Sequence, residues 1–242
     1  MTRSLRAAVG ALLTIVLATA GLALAAPSGA QPAAITFSPV GPALQVGSLA
    51  IIGTLTTPCD TAPEPSAVTF QFGGVATSAV TAAIVSASQF TLTVPSTLKT
   101  VPGTADTLAV TVVCPVAAAP VTSTAVLDWA QIDITKTVTG DGPVGARYTI
   151  AGTCLFDAVD SMTSMSLSPS VLVPTEFSVE VRAGETASVL FADSAACTFS
   201  EPDPLGAATT SIDPDVVVLD LPTLFLVDVT NAFPTATPRF TG

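Results

Sequence analysis

Three polar side chains occupy positions where the surrounding pattern calls for apolar ones. Lys136 shares the parity of the apolar residues in segment 132–138, and Asn231 shares that of the apolar residues in segment 225–233. Glu201 has the parity of the inward-facing positions in the run that precedes it. Because strand side chains alternate between the two faces of a sheet, all three are predicted to point into one interior.

A buried amine, carboxyl group and amide are costly unless they satisfy one another, and two interpretations compete. In the first, strand ends fray, and the long side chains of Lys136 and Glu201 reach the rim and form a salt bridge. In the second, the Lys136 amine attacks the side-chain carbonyl of Asn231 and forms an intramolecular isopeptide bond. Burial favours a neutral, nucleophilic amine, and a protonated Glu201 would polarise the amide carbonyl and shuttle protons as ammonia leaves. Glu201 is then catalytic for this bond only.

Short runs that alternate apolar and polar residues dominate the chain and must position these groups. Examples lie at 68–72, 90–94 and 177–181, separated by Pro, Gly and Asp. Such runs, rich in Val, Thr and Phe, predict the strands of sandwich-like domains. The expected fold class is therefore all-β, with two tandem β-sandwiches.

A change in charge near the middle of the chain divides the two predicted sandwiches. Residues 34–128 carry few charges and predict an immunoglobulin-like sandwich, whereas residues 130–234 carry most of the acidic side chains, and residues 235–242 form a tail. The junction contains no Gly or Pro, so a stiff connection is expected. Trp129 is expected to pack between the domains rather than to stack on a ligand.

The N-terminal segment has the layout of a secretory signal peptide. Arg3 and Arg6 precede an uncharged apolar stretch that ends in small residues. Residues 1–30 are therefore expected to be cleaved, with an uncleaved membrane anchor as the alternative. No second apolar stretch of spanning length occurs, so we expect no membrane span after cleavage and a secreted or surface-associated protein.

Four cysteines remain after this segment: Cys59, Cys114, Cys154 and Cys197. An even set in an exported chain favours disulfides, and three pairings are open. Pairing consecutive cysteines would place one bridge in each half. Cys154 shares the parity of Tyr148, and Cys197 shares that of Glu201, so these positions are all predicted to face inward. No cysteine belongs to a CxxC motif, so neither metal binding nor thiol exchange is expected.

Composition and charge exclude several functional classes. The formal net charge of -11 at pH 7 argues against nucleic-acid binding, which needs clustered Lys and Arg. Histidine is absent, which excludes Ser-His-Asp and Cys-His catalysis and imidazole zinc sites. The aspartates of 213–220 match no EF-hand loop, and a 5% aromatic content leaves little to line a sugar cleft. We therefore expect no cofactor, no metal and no enzymatic activity.

Motifs in the second half occur in an order that is typical of a known family. The matching segments are Thr-Lys-Thr-Val-Thr-Gly at 135–140, Cys154, Cys-Thr-Phe-Ser-Glu-Pro-Asp at 197–203 and Val-Thr-Asn-Ala-Phe at 229–233. With these segments the second half resembles the Cna B-type repeats of Gram-positive surface proteins, which are also called SpaA-like or prealbumin-like. It is also similar to a related domain family of unknown function in secreted and surface proteins of actinobacteria.

This resemblance implies specific roles for the three polar residues. In Cna B-type domains a lysine of the first strand and an asparagine of the last strand are joined, with an intervening glutamate as catalyst. The resemblance therefore implies a bond between Lys136 and Asn231, with Glu201 as its catalyst. The sequence departs from the Cna B pattern directly afterwards, because residues 202–206 are compact and lack the usual tyrosine.

The expected function is that of an exported, non-enzymatic structural or adhesive module of an actinobacterial cell surface. Its partner would be an unidentified protein or a component of the cell envelope. The alternative is a secreted binding protein or inhibitor that uses the loops at one end of a sandwich.

Overall fold

The structure, a computed structural model, describes residues 34–115, 120–157 and 172–235. The predicted signal peptide at 1–30 and all but the first residue of the predicted tail at 235–242 lie outside these residues. Within the described ranges the chain forms β-strands and two short 3₁₀ turns, so the all-β prediction is confirmed. No helix in those ranges has the length and the apolar character that crossing a membrane requires.

The first half of the described chain contains nine strands. Their bounds are β1 Ile35–Pro39, β2 Leu44–Val46, β3 Ser48–Leu55, β4 Val68–Phe72, β5 Val75–Ala76, β6 Thr81–Ile84, β7 Gln89–Pro95, β8 Leu108–Cys114 and β9 Val121–Leu127. Eight of them form two four-stranded sheets, in the orders β1-β3-β7-β6 and β5-β4-β8-β9. The alternation predicted at 90–94 is present in β7, where Phe90, Leu92 and Val94 are buried in a shared core.

The second half of the described chain contains eight strands. Their bounds are β10 Ala130–Thr139, β11 Arg147–Asp157, β12 Leu172–Arg182, β13 Thr186–Phe191, β14 Ala195–Ser200, β15 Thr209–Asp213, β16 Val216–Leu219 and β17 Leu224–Ala232. One sheet has the order β12-β11-β14-β16, and the other has the order β15-β17-β10-β13-β2. A second core of buried residues belongs to these strands.

One short strand of the first half lies in a sheet of the second half. β2 pairs antiparallel with β13, which places Leu44 opposite Phe191. Leu44 packs in the core of the second half, whereas Leu190 of β13 and the fully buried Trp129 pack in the core of the first half. Side-chain packing therefore crosses the boundary expected at residues 128–130, and the division into two domains stays a prediction.

The strands that carry Lys136 and Asn231 are direct neighbours. β10 and β17 run parallel through nine register pairs, in which Lys136 stands opposite Val229 and Val138 stands opposite Asn231. Positions two apart on a strand share a face, so Lys136 and Asn231 point into the same interior. The register of this single parallel pair therefore makes the two side chains diagonal neighbours.

Candidate functional site

A buried carboxyl group joins the amine and the amide. Glu201 directly follows β14 and reaches between β10 and β17. Lys136 Nζ donates to Glu201 Oε2 at 2.7 Å, and both side chains are 0% exposed. Asn231 Nδ2 donates to the other oxygen, Oε1, at 2.9 Å. The three predicted residues thus meet, and the ion pair lies in the interior rather than at the rim.

The two ends of the Asn231 amide have different surroundings. Besides Glu201, Nδ2 has a second acceptor in the backbone carbonyl of Pro204, at 3.4 Å. Oδ1 is buried and has no hydrogen-bond partner among the described residues. A buried polar atom without a partner typically costs about 1–3 kcal/mol and calls for an explanation. Glu201 therefore contacts the nitrogen end of the amide and not the carbonyl end that the sequence analysis predicted it to polarise.

The Lys136 amine also lies against an aromatic ring. Its Nζ is 4.5 Å from the centroid of the Tyr148 ring on β11. Burial lowers the pKa of the Lys136 amine, and the hydrogen bond and charge of Glu201 oppose that shift. Burial also raises the pKa of the Tyr148 hydroxyl, to which the charge of Glu201 adds. Tyr148 therefore remains a neutral phenol, with its ring against the Lys136 amine.

Sequence reasoning recognised Tyr148 only as an inward-facing position and missed its contact with the amine. The signal was available, since Tyr148 is the only tyrosine of the chain and shares the parity of Cys154. Its distance from Lys136 depends on how two sheets face each other, which parity does not determine.

Each disulfide joins two cysteines that follow one another in the order of the four, the first with the second and the third with the fourth. Cys59 is bonded to Cys114, and Cys154 is bonded to Cys197, with sequence separations of 55 and 43. Cys154 and Cys197 stand opposite each other on β11 and β14, and both are 0% exposed, as their parity predicts. No cysteine of the described residues is free.

The other lysine of the chain, Lys99, is buried as well, at 2% exposure. Its Nζ donates to the backbone carbonyl of Asp106 at 3.1 Å and lies 4.4 Å from the centroid of the Trp129 ring. Burial lowers its pKa to about 8, against the opposing charges of Asp106 and Asp128. Sequence reasoning assigned no role to Lys99. Neither lysine side chain of the protein is therefore open to solvent.

Oxygen and sulfur ligands are not gathered into a metal site in the described ranges. No group of three or more Cys, Asp or Glu residues is arranged there to hold an ion. The cluster at Glu201 contains one carboxyl group, and both of its oxygens are already engaged by nitrogen donors.

Comparison with known proteins gives structural matches only. No protein-family model matches the sequence, and none of the curated proteins is similar to it. A pilus-presented adhesin matches with 11% identity and a TM-score of 0.33, over 56% of this chain and 38% of that one. The chain therefore spans little more than a third of the length of that adhesin.

Two major pilins match over most of this chain. The major pilin of Streptococcus pyogenes matches with 11% identity and a TM-score of 0.28, over 80% of this chain and 100% of that one. The major pilin SpaA of Corynebacterium diphtheriae matches with 13% identity and a TM-score of 0.27, over 82% and 68%. At identities and TM-scores this low, the likeness carries no argument about function.

Proposed function

We propose that the protein is an exported structural or adhesive module of the cell surface, stabilised by an intramolecular isopeptide bond between Lys136 and Asn231. The observation that supports this proposal is the contact of both side chains with one fully buried carboxyl group, that of Glu201. A site with 0% exposure offers no access to an external substrate, so its chemistry acts on the chain itself.

The Glu201 carboxyl connects the nucleophile to the leaving group. Oε2 takes a proton from the Lys136 ammonium, which leaves a neutral amine, and the carboxyl group becomes protonated. The amine then attacks Cγ of Asn231, and the carboxyl group gives its proton to Nδ2 as the C–N bond breaks. The resulting carboxylate takes a second proton from Nζ, which leaves a neutral amide. The new bond joins Nζ to Cγ, and the amide nitrogen leaves as ammonia. No oxidant or cofactor is consumed.

Proximity lowers the activation barrier of this reaction. Parallel pairing of β10 with β17 holds Lys136 and Asn231 on one face of the sheet before they react. Holding reactants in place converts a bimolecular step into a unimolecular one, which lowers the entropic part of the barrier. Burial favours the neutral amine over the ammonium, because a charge in a closed interior is poorly solvated.

The bond would stabilise the second half by joining its first strand to its last. A crosslink between distant residues restricts the unfolded chain, as a disulfide does, by about 2–5 kcal/mol. Unlike the Cys154–Cys197 disulfide, an amide bond resists reducing agents. Export is supported by the signal-like N-terminal segment and by the two disulfides, which persist in oxidising compartments.

Resistance to protease after reduction tests this function. The variant Asn231→Ala keeps the ion pair of Lys136 with Glu201 but has no carbonyl group to attack. After reduction and heating, we expect residues 136–231 of the native chain to remain a protected fragment, whereas the variant is digested. Equal digestion of the two reduced proteins would contradict the proposed crosslink.

A further inference from the structure

We propose that Asp203 is a positioning residue for the formation of the isopeptide bond. The turn that it stabilises holds the backbone carbonyl of Pro204 against the Asn231 amide, and so directs the amide nitrogen at Glu201. This inference rests on the proposed function. It goes further because it assigns a role to the segment at which the sequence departs from the Cna B pattern.

The turn after Glu201 adopts a conformation that needs support. Leu205 has a φ of 56° and is the only non-glycine residue with positive φ in the described part of the chain. A bulky side chain rarely occupies this left-handed region, because its Cβ is crowded against the backbone. Asp203 Oδ1 accepts the backbone N–H of Leu205 at 2.9 Å, and Pro204 O accepts that of Ala207 at 3.2 Å. These two hydrogen bonds fix the turn and the direction of the Pro204 carbonyl.

The fixed carbonyl gives the nitrogen end of the Asn231 amide a second acceptor beside the Glu201 carboxyl. A side-chain amide carries two N–H donors on nitrogen and only acceptors on oxygen. Nδ2 has two acceptors here, Glu201 Oε1 at 2.9 Å and Pro204 O at 3.4 Å. In the reversed orientation, Oδ1 would lie against Pro204 O, and two acceptor atoms would repel each other. The turn therefore favours the orientation in which nitrogen contacts Glu201.

This orientation serves the step in which the amide nitrogen leaves. The bond that breaks joins Cγ to Nδ2, and the nitrogen must receive a proton from Oε1 to leave as ammonia. The bond that forms joins Lys136 Nζ to Cγ, and Nζ gives its second proton to the Glu201 carboxylate. In a reversed amide, the nitrogen would point away from the Glu201 carboxyl and could not receive a proton from it. Bond formation would therefore be slower.

The experiment compares Asp203→Ala with Asp203→Asn in freshly synthesised chains. Asparagine keeps a side-chain oxygen that can accept the Leu205 N–H, whereas alanine does not. Intact mass, followed over time, gives the rate at which each chain loses ammonia. We expect Asp203→Ala to be slower than the native chain by roughly fivefold to tenfold, the effect of one lost hydrogen bond, and Asp203→Asn to be close to native.

The outcomes separate this role from a general effect on folding. In the Asn231→Ala background, which cannot crosslink, Asp203→Ala should leave the circular dichroism spectrum unchanged. A native rate of ammonia loss in Asp203→Ala would overturn the positioning role while leaving the proposed function intact. An Asp203→Asn chain as slow as Asp203→Ala would also overturn it. A native chain that never loses ammonia would overturn both proposals.

Discussion

Lys136 and Asn231 contact opposite oxygens of one buried carboxyl group, at 2.7 and 2.9 Å, from neighbouring parallel strands. This arrangement forms an unbroken path of hydrogen bonds from the amine to the amide nitrogen. The path satisfies groups whose burial would otherwise be costly, and it is also the route that a proton must take for the two side chains to join.

Amine labelling separates burial from crosslinking. Both lysine side chains are buried, at 2% and 0% exposure for Lys99 and Lys136, so we expect neither to react with an amine reagent in the folded protein. After reduction and unfolding, Lys99 should be labelled and Lys136 should not, because its nitrogen is part of an amide. The Asn231→Ala variant is the control, and both of its lysines should react when it is unfolded. Labelling of Lys136 in the unfolded native chain would refute the crosslink.

The stability of the protein should rise with pH in the alkaline range. Burial lowers the pKa of Lys99 from 10.5 to about 8, so above pH 8 the unfolded chain binds a proton that the folded chain has released. The free energy of unfolding therefore increases from about pH 8 towards pH 10. Above pH 10 the raised pKa of Tyr148 acts in the opposite direction, because the unfolded phenol ionises first.

The variant Lys99→Met keeps an unbranched apolar chain near Trp129 but cannot titrate. Urea unfolding at several pH values should show the rise in the native protein and a flatter profile in Lys99→Met. A crosslinked Lys136 does not titrate, so it adds nothing to this difference. Identical pH profiles for the two proteins would show that the Lys99 amine is not held in an environment that disfavours its charge.

The contribution of β2 can be measured with two substitutions on the same strand. Leu44 is 7% exposed in the core of the second half, whereas Val46 is 53% exposed. Leu44→Ala should lower the free energy of unfolding by about 2 kcal/mol or more, because it leaves a cavity in a packed core. Val46→Ala should change it by no more than about 0.5 kcal/mol. Equal effects in urea unfolding would mean that β2 does not pack as described.

The inward direction of Lys136 and Asn231 could be predicted from the sequence, because β10 and β17 are long enough for a period of two to be unambiguous. The same pattern gave the buried positions of Cys154 and Cys197. The alternation of side chains along a strand depends only on local backbone geometry. The face on which a residue lies can therefore be predicted without knowing how the sheets pack.

Features that depend on packing between distant segments could not be predicted. β2 has three residues, too few for alternation to be recognised, and its place beside β13 comes from contacts far along the chain. Lys99 lies just after a 3₁₀ turn, where no periodicity indicates burial. The Asn231 amide is oriented by Glu201 and also by the backbone carbonyl of Pro204, for which no side chain gives a signal.

Accurate intact mass of the secreted protein, with its disulfides formed, decides whether Lys136 and Asn231 are joined. We predict a mass below that of the mature sequence by the hydrogens of two disulfides and by one molecule of ammonia. The Asn231→Ala variant should lack only the disulfide hydrogens relative to its own sequence. A native chain that shows the disulfide loss alone would contradict the isopeptide bond and leave an ordinary buried ion pair.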